Sequence, residues 1–189
     1  GEVVFTNDGR AFRYAKAGGT ALVAGNLQQS QAQDTDTQDM TAVAAAIADT
    51  AIVSTTTVTV TANEYAEGFI LATVTPGVGR LYKIKGHIAY TAAAPTFNLA
   101  EEVKVALTTT SRLDALANPY AATVVAPTTF TGPVVGAAVH PIVASEFGWL
   151  QVLGVANVLA DGACVNGEPV IRSNGTAGAV EPTTTTFTV

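Results

Sequence analysis

Valine and threonine alternate along much of this chain, most clearly in "STTTVTVTAN" at residues 54–63. A period of two places Val58 and Val60 on one face of a strand and Thr57, Thr59 and Thr61 on the other. Further short runs of strand character are "EGFILATV", "RLYKIKGHIAY", "EEVKVALTT", "ATVVAP", "PVVGAAVHPIVA", "FGWLQVLG", "ANVLAD" and "EPVIRS". Turn-forming strings such as "TPGVG", "ANPY", "TGP", "ADG" and "SNGTAG" separate them at intervals of roughly 8 to 15 residues, the rhythm of a sandwich or barrel. The pattern predicts an all-β fold, an antiparallel β-sandwich or barrel of jelly-roll-like kind.

Two segments allow a helix. In "TQDMTAVAAAIADTA" (37–51) the alanines favour helix and Asp39 would cap it, while "AVAAAIA" reads equally well as a strand that turns at Asp49 and Thr50. In "SRLDALAN", Ser111 would cap a helical turn with Leu113 and Leu116 packed inward. The stretch "FGWLQVLGVANVLADG" predicts a hairpin. Phe147, Trp149, Gln151 and Leu153 share one face, Gly148, Leu150 and Val152 the other, and the chain returns through Val155, Asn157 and Leu159 after a bend at Gly154. Cys164 would lie on the next strand.

Residues before 40 have a different texture. "NDGRAFRYAKAGG" opens on a hairpin-type turn and mixes aromatic with basic residues, and "NLQQSQAQDTDTQD" is polar and aperiodic. The division expected is an N-terminal arm and polar linker over 1–39 and a β-rich globular domain over 40–189. Arg10, Arg13 and Lys16 are three of the chain's nine Lys and Arg, so the arm would dock on an acidic or aromatic-accepting surface.

Composition narrows the function. The chain has 189 residues, 48% hydrophobic and only 13% charged, about half the usual charged share. Much of the apolar content is Ala and Val, which suits thin, closely spaced layers and a surface covered by something. No apolar run of about 18 residues is uninterrupted, so a membrane is not the expected cover. The opening "GEVVFTNDGR" reads as a mature start without an export signal. A net charge of −6 opposes nonspecific attraction to nucleic acid. The single cysteine excludes an intrachain disulfide.

Candidate chemistry is weak throughout. Cys164 with His87 or His140 would be a thiol–imidazole pair, but "DGACVNG" sets the cysteine between turn glycines, where a small buried apolar role is the better reading. Both histidines read as strand-end or surface residues. Asp34, Asp36 and Asp39 begin like a calcium loop, yet the sixth and twelfth positions hold Asp39 and Ala45 instead of Gly and Glu. Glu64 with Glu67 and Glu101 with Glu102 are carboxylate pairs without an aromatic cleft, and Glu101 and Glu102 would point to opposite faces of a strand. The sequon at Asn174 matters only in a secretory setting. No catalytic residue, metal site or cofactor is expected, and the chain reads as a non-enzyme.

The strings "NDGRAFRYAKAGGTALVAGNL", "VTANEYAEGFI", "GRLYKIKGH", "VALTTTSRLDALANPY" and "FGWLQVLGVANVLADG", in this order, resemble the capsid decoration (cement) proteins of tailed bacteriophages. The resemblance runs from about residue 7 to 180 and departs at the ending "EPTTTTFTV". It implies a β-rich module on the outer surface of the virion, usually a homotrimer, that clamps adjacent subunits of the major capsid protein. Phe12, Arg13 and Tyr14 are the expected capsid contacts, because an arginine flanked by aromatics is common hot-spot chemistry, and Trp149 is a further candidate for capsid or oligomer contact. The alternative is a carbohydrate-binding or host-surface adhesion module, for which Trp149, Phe147 and Tyr120 are the candidate aromatic platform.

Overall fold

The structure is a computed structural model and describes residues 1–183. The chain opens with β1 (Val3–Phe5), β2 (Ala11–Lys16) and β3 (Leu27–Gln29), then makes one 3-10 turn at Thr35–Thr37. Next come β4 (Met40–Thr41), β5 (Ala51–Val53), β6 (Val58–Val60), β7 (Phe69–Ala72), β8 (Leu81–Gly86), β9 (Tyr90–Ala93), β10 (Thr96–Leu99) and β11 (Arg112–Leu116). The last strands described are β12 (Val124–Val125), β13 (Val134–Ala138), β14 (Phe147–Leu153), β15 (Val170–Arg172) and β16 (Val180–Pro182). The fold is all-β, with antiparallel sheets that include a curled half-barrel, as the alternation predicts. The string "EPTTTTFTV" falls largely outside the described residues.

Two compact units divide the chain. Among the described residues the first combines 1–32 with 119–183, and the second is 33–118. The first unit holds a six-stranded sheet in the order β1-β2-β14-β13-β3-β12 and the β15-β16 pair. The arm expected over 1–39 is therefore not how the chain runs. β2 lies inside the sheet between β1 and β14, and the "NDG" turn closes the β1–β2 hairpin, with Gly9 at φ 82° and the Thr6 N–H donating to the Arg10 carbonyl at 2.9 Å. The linker string is also built in. β3 pairs with both β13 and β12, which buries Gln28 and Gln29. The Gln29 amide donates to Thr131 Oγ1 at 2.8 Å and its carbonyl accepts from Arg172 at 2.7 Å, so its polarity is satisfied inside the fold.

In the second unit the sheet order is β4-β11-β7-β8-β10-β5, and β6 pairs with β9. Val58 and Val60 are buried and Thr59 is exposed, following the period of two. Ile52, Ile70, Tyr82, Ile84, Phe97 and Leu113 complete a continuous apolar core with them.

Several local expectations are corrected. "SRLDALAN" is strand and not helix: Leu113 and Ala115 are buried while Leu116 is half-exposed, because β11 pairs with both β4 and β7 and its period becomes two. The Ser111 hydroxyl donates to the Pro76 carbonyl at 2.7 Å instead of capping a helix. Residues 40–51 carry no helix. Ala42 and Ala45 make single bridges to Ser54 and Leu107, and the Asp49 carboxylate accepts from Ala46 N–H at 2.7 Å to fix the turn. The predicted return strand after Gly154 does not form. β14 already has β2 and β13 as neighbours, so residues 155–159 leave the sheet and Val155 is 92% exposed.

Candidate functional site

The site is one face of the sheet in the first unit, built by β2 and β14. The two strands pair with Tyr14 opposite Trp149, Lys16 opposite Phe147, Gly148 opposite Ala15 and Phe12 opposite Gln151. Alternation puts Ala11, Ala15, Gly148 and Leu150 on the inner face, where all four are buried. Small residues are needed there. A Cβ at Gly148 would meet Ile142 Cδ1 at 2.5 Å, so the glycine lets Ile142 pack against the strand.

The opposite face carries Phe12, Tyr14, Lys16, Phe147 and Trp149. The Tyr14 and Phe147 rings are stacked, with centroids 5.4 Å apart and planes 5° apart, and Tyr14 meets Trp149 at 5.1 Å with a 59° tilt. Phe147 is 56% exposed and Tyr14 39%. Lys16 Nζ lies 5.7 Å from the Phe147 centroid, and the Arg10 guanidinium lies 5.5 Å from that of Phe12. Beside the rings is an open depression of about 430 Å³ lined by Val4, Phe12, Val139, His140 and Trp149. Arg10 is also held by the Asp8 carboxylate at 2.7 Å. The Thr6 hydroxyl first, and Arg10 second, pull the Asp8 carboxyl down to about 2.

Phe12, Tyr14 and Trp149, three of the four residues expected at a contact, thus share this face. Arg13 does not join them. It is next in sequence to Phe12 and Tyr14, so in a strand it must point the other way, and its guanidinium stacks 4.2 Å from the Tyr120 ring inside the first unit. Tyr120 is half-buried against that core and is not part of a platform with Trp149 and Phe147. Tyr14 takes its place, a residue reached only by pairing β2 with β14.

The remaining candidates are dispersed. Cys164 is exposed, not buried, because the stretch after Gly154 left the sheet. His87, at the end of β8, is buried and not a surface residue: Nε2 accepts the Tyr65 N–H at 3.0 Å, so Nδ1 carries the proton and donates to the Ile88 carbonyl at 2.8 Å. Its ring lies among Tyr65, Phe97 and Tyr90. His140 is exposed at the edge of the aromatic face. Asp34 caps the 3-10 turn through Asp36 N–H at 3.0 Å, and Asp39 N–H donates to Asp114 at 2.7 Å. No group of three His, Cys, Asp or Glu among the described residues could hold a metal.

The carboxylate pairs also separate. Glu64 accepts from Thr61 N–H at 2.8 Å, while Glu67 pairs with Lys83, which lowers its carboxyl below the usual range. Glu101 and Glu102 lie in a loop and not on a strand; Glu101 accepts from Lys83 N–H, and Glu102 pairs with Lys104. Asn174, the sequon residue, is exposed beside the turn that follows β15. A scan of family models, a search of curated proteins and a search of solved structures each return no match for the chain.

Proposed function

We propose that this chain is a structural virion protein that decorates the outer surface of a tailed-bacteriophage capsid and stabilises it by clamping adjacent major capsid subunits. The face of Phe12, Tyr14, Phe147 and Trp149 makes the contact. The observation that carries the reading is where unburied apolar surface concentrates. Of the twenty-two large hydrophobic side chains exposed among the described residues, seventeen lie in the first unit and five in the second. The second unit closes a core cluster of seventeen buried residues, the first a cluster of seven. A unit that leaves its aromatic rings in water is suited to completing its burial on a partner. The resemblance to decoration proteins supplies the partner's identity.

The stacked rings also favour a second reading, a glycan-binding platform. It ranks lower because a sugar needs polar side chains converging in a pocket beside the rings, and the depression is lined mainly by Val4, Phe12, Val139 and Trp149, with Lys16 and Arg10 packed over the rings at its margin. The Gln151 amide is committed to the Leu153 and Val155 carbonyls at 3.1 and 2.8 Å. Co-sedimentation with undecorated heads separates the two. Binding at a fixed ratio to the major capsid protein, lost in Phe147→Ser/Trp149→Ser, supports the capsid reading. No binding to heads together with glycan binding on an array overturns it.

A further inference from the structure

We infer that the edge strand β1 is a self-association site, and that two copies of this chain pair their β1 strands antiparallel about a twofold axis. Among the described residues, β1 ends the six-stranded sheet and has β2 on one side only. The ladder with β2 assigns its polar groups. Tyr14 N–H donates to the Glu2 carbonyl at 2.8 Å and Thr6 N–H to the Arg10 carbonyl at 2.9 Å, with Val4 opposite Phe12 between them. Glu2, Val4 and Thr6 therefore turn inward, and the N–H and C=O groups of Val3 and Phe5 turn away from the sheet.

The side chains repeat the message. Val3, Val4 and Phe5 are 41%, 39% and 73% exposed, which leaves apolar groups bare on both faces of the strand. Exposed edges are usually guarded by shortness, lysine, proline or a bulge, and "VVF", three residues long, has only the first of these. Such a strand has the composition of an interior one.

Charge selects a second copy as the occupant and fixes the register. Centring the pair on Val4 sets Val3 opposite Phe5 of the second copy, so both outward residues are used and four backbone hydrogen bonds form. Glu2 then lies opposite Thr6 of the second copy. Because Thr6 faces Arg10 across its own hairpin, the Glu2 carboxylate enters on the side of the Arg10 guanidinium, which bonds Asp8 through Nε, twice by symmetry. Centring on Phe5 would instead set Glu2 against Asp8, and centring on Val3 would strand Phe5. The three residues expose on the order of 300 Å² per copy, against roughly 800 Å² per partner in a standard interface, so the pairing is reversible and concentration-dependent.

This contact is twofold, unlike the trimer implied by the resemblance, and its test needs no capsid. Light scattering from about 1 μM to about 1 mM should show monomer passing to dimer. Val3→Lys/Phe5→Lys, which sets like charges opposite each other, should stay monomeric with an unchanged circular dichroism spectrum, while Phe147→Lys should still dimerise. In a Cys164→Ser background, Val4→Cys should cross-link to itself under mild oxidation, since Val4 meets its own copy at the close, non-hydrogen-bonded position. A monomer throughout the range, a trimer, a dimer that survives the double lysine change, or a Val4→Cys protein that does not cross-link would each overturn the inference.

Discussion

Tyr14 on β2 and Phe147 on β14 lie ring over ring, 5.4 Å between centroids, although 133 residues separate them in the chain. Their strands are neighbours only because residues from both ends of the chain fold into one unit, whose six-stranded sheet holds β2 and β14 side by side. Two exposed rings that already stack present a flat, preordered surface that loses little rotamer freedom on binding.

The first prediction separates binding from folding at that surface. Phe147→Ala removes a stack worth about 1 kcal/mol and little burial, so the melting temperature should fall by a few degrees at most. Head binding should weaken at least about tenfold, as for a contact hot spot. Thermal melting and co-sedimentation on the same preparation check both halves.

Arg13→Ala should do the reverse. The guanidinium packs on Tyr120 at 4.2 Å on the inner side of β2, and its loss should cost about 1–2 kcal/mol of stability. Affinity for heads, measured well below the melting temperature, should be unchanged. A strong loss of affinity with no loss of stability would put Arg13 on the wrong face.

Gly148 and Ile142 should be energetically coupled. Gly148→Ala brings a Cβ to 2.5 Å from Ile142 Cδ1 and should cost about 1–3 kcal/mol by overpacking. Ile142→Ala leaves a cavity and should cost about 2–5 kcal/mol. The double variant should lose less than the two costs added, because the new methyl enters space the isoleucine vacated; denaturant unfolding of the four proteins measures the difference.

Alkaline stability should depend on Tyr65. Its hydroxyl donates to Thr37 Oγ1 at 2.9 Å, that of Thr37 donates to the Asp34 carbonyl at 3.0 Å, and burial pushes the phenol up to about 12. The folded protein then holds a proton that the unfolded chain releases near 10. The contribution is full below pH about 10 and is lost as the pH rises towards 12, on the order of 2 kcal/mol in all. Urea midpoints should fall across that window in the wild type and less steeply in Tyr65→Phe. Equal slopes would remove Tyr65 as the cause.

The class of the fold was legible because the Val/Thr alternation carries its own period, and Val58, Thr59 and Val60 show it. What misled was local polarity. "NLQQS" reads as solvated linker, yet Gln29 is buried because partners 102 and 143 residues away, Thr131 and Arg172, satisfy it, and the Gln28 amide N–H donates to the neighbouring Asn26 carbonyl. "SRLDALAN" has helical spacing, and sheet pairing on both sides overrode it. Of the residues on the aromatic face, Phe12, Tyr14 and Trp149 stand out by residue type alone. Arg13 parts from its neighbours because 11–16 is a strand, where adjacent side chains face opposite ways, and not an arm, where they can act together. The sequence groups Phe147 with Tyr120, since nothing local indicates that β14 pairs with β2.

The most direct measurement of the central claim is an electron cryo-microscopy reconstruction of undecorated heads incubated with the purified protein. The result expected is ordered density on the outer capsid surface, with Phe12, Tyr14, Phe147 and Trp149 turned onto the major capsid protein. Heads that stay bare, or a bound protein whose aromatic face looks into solvent, would contradict it.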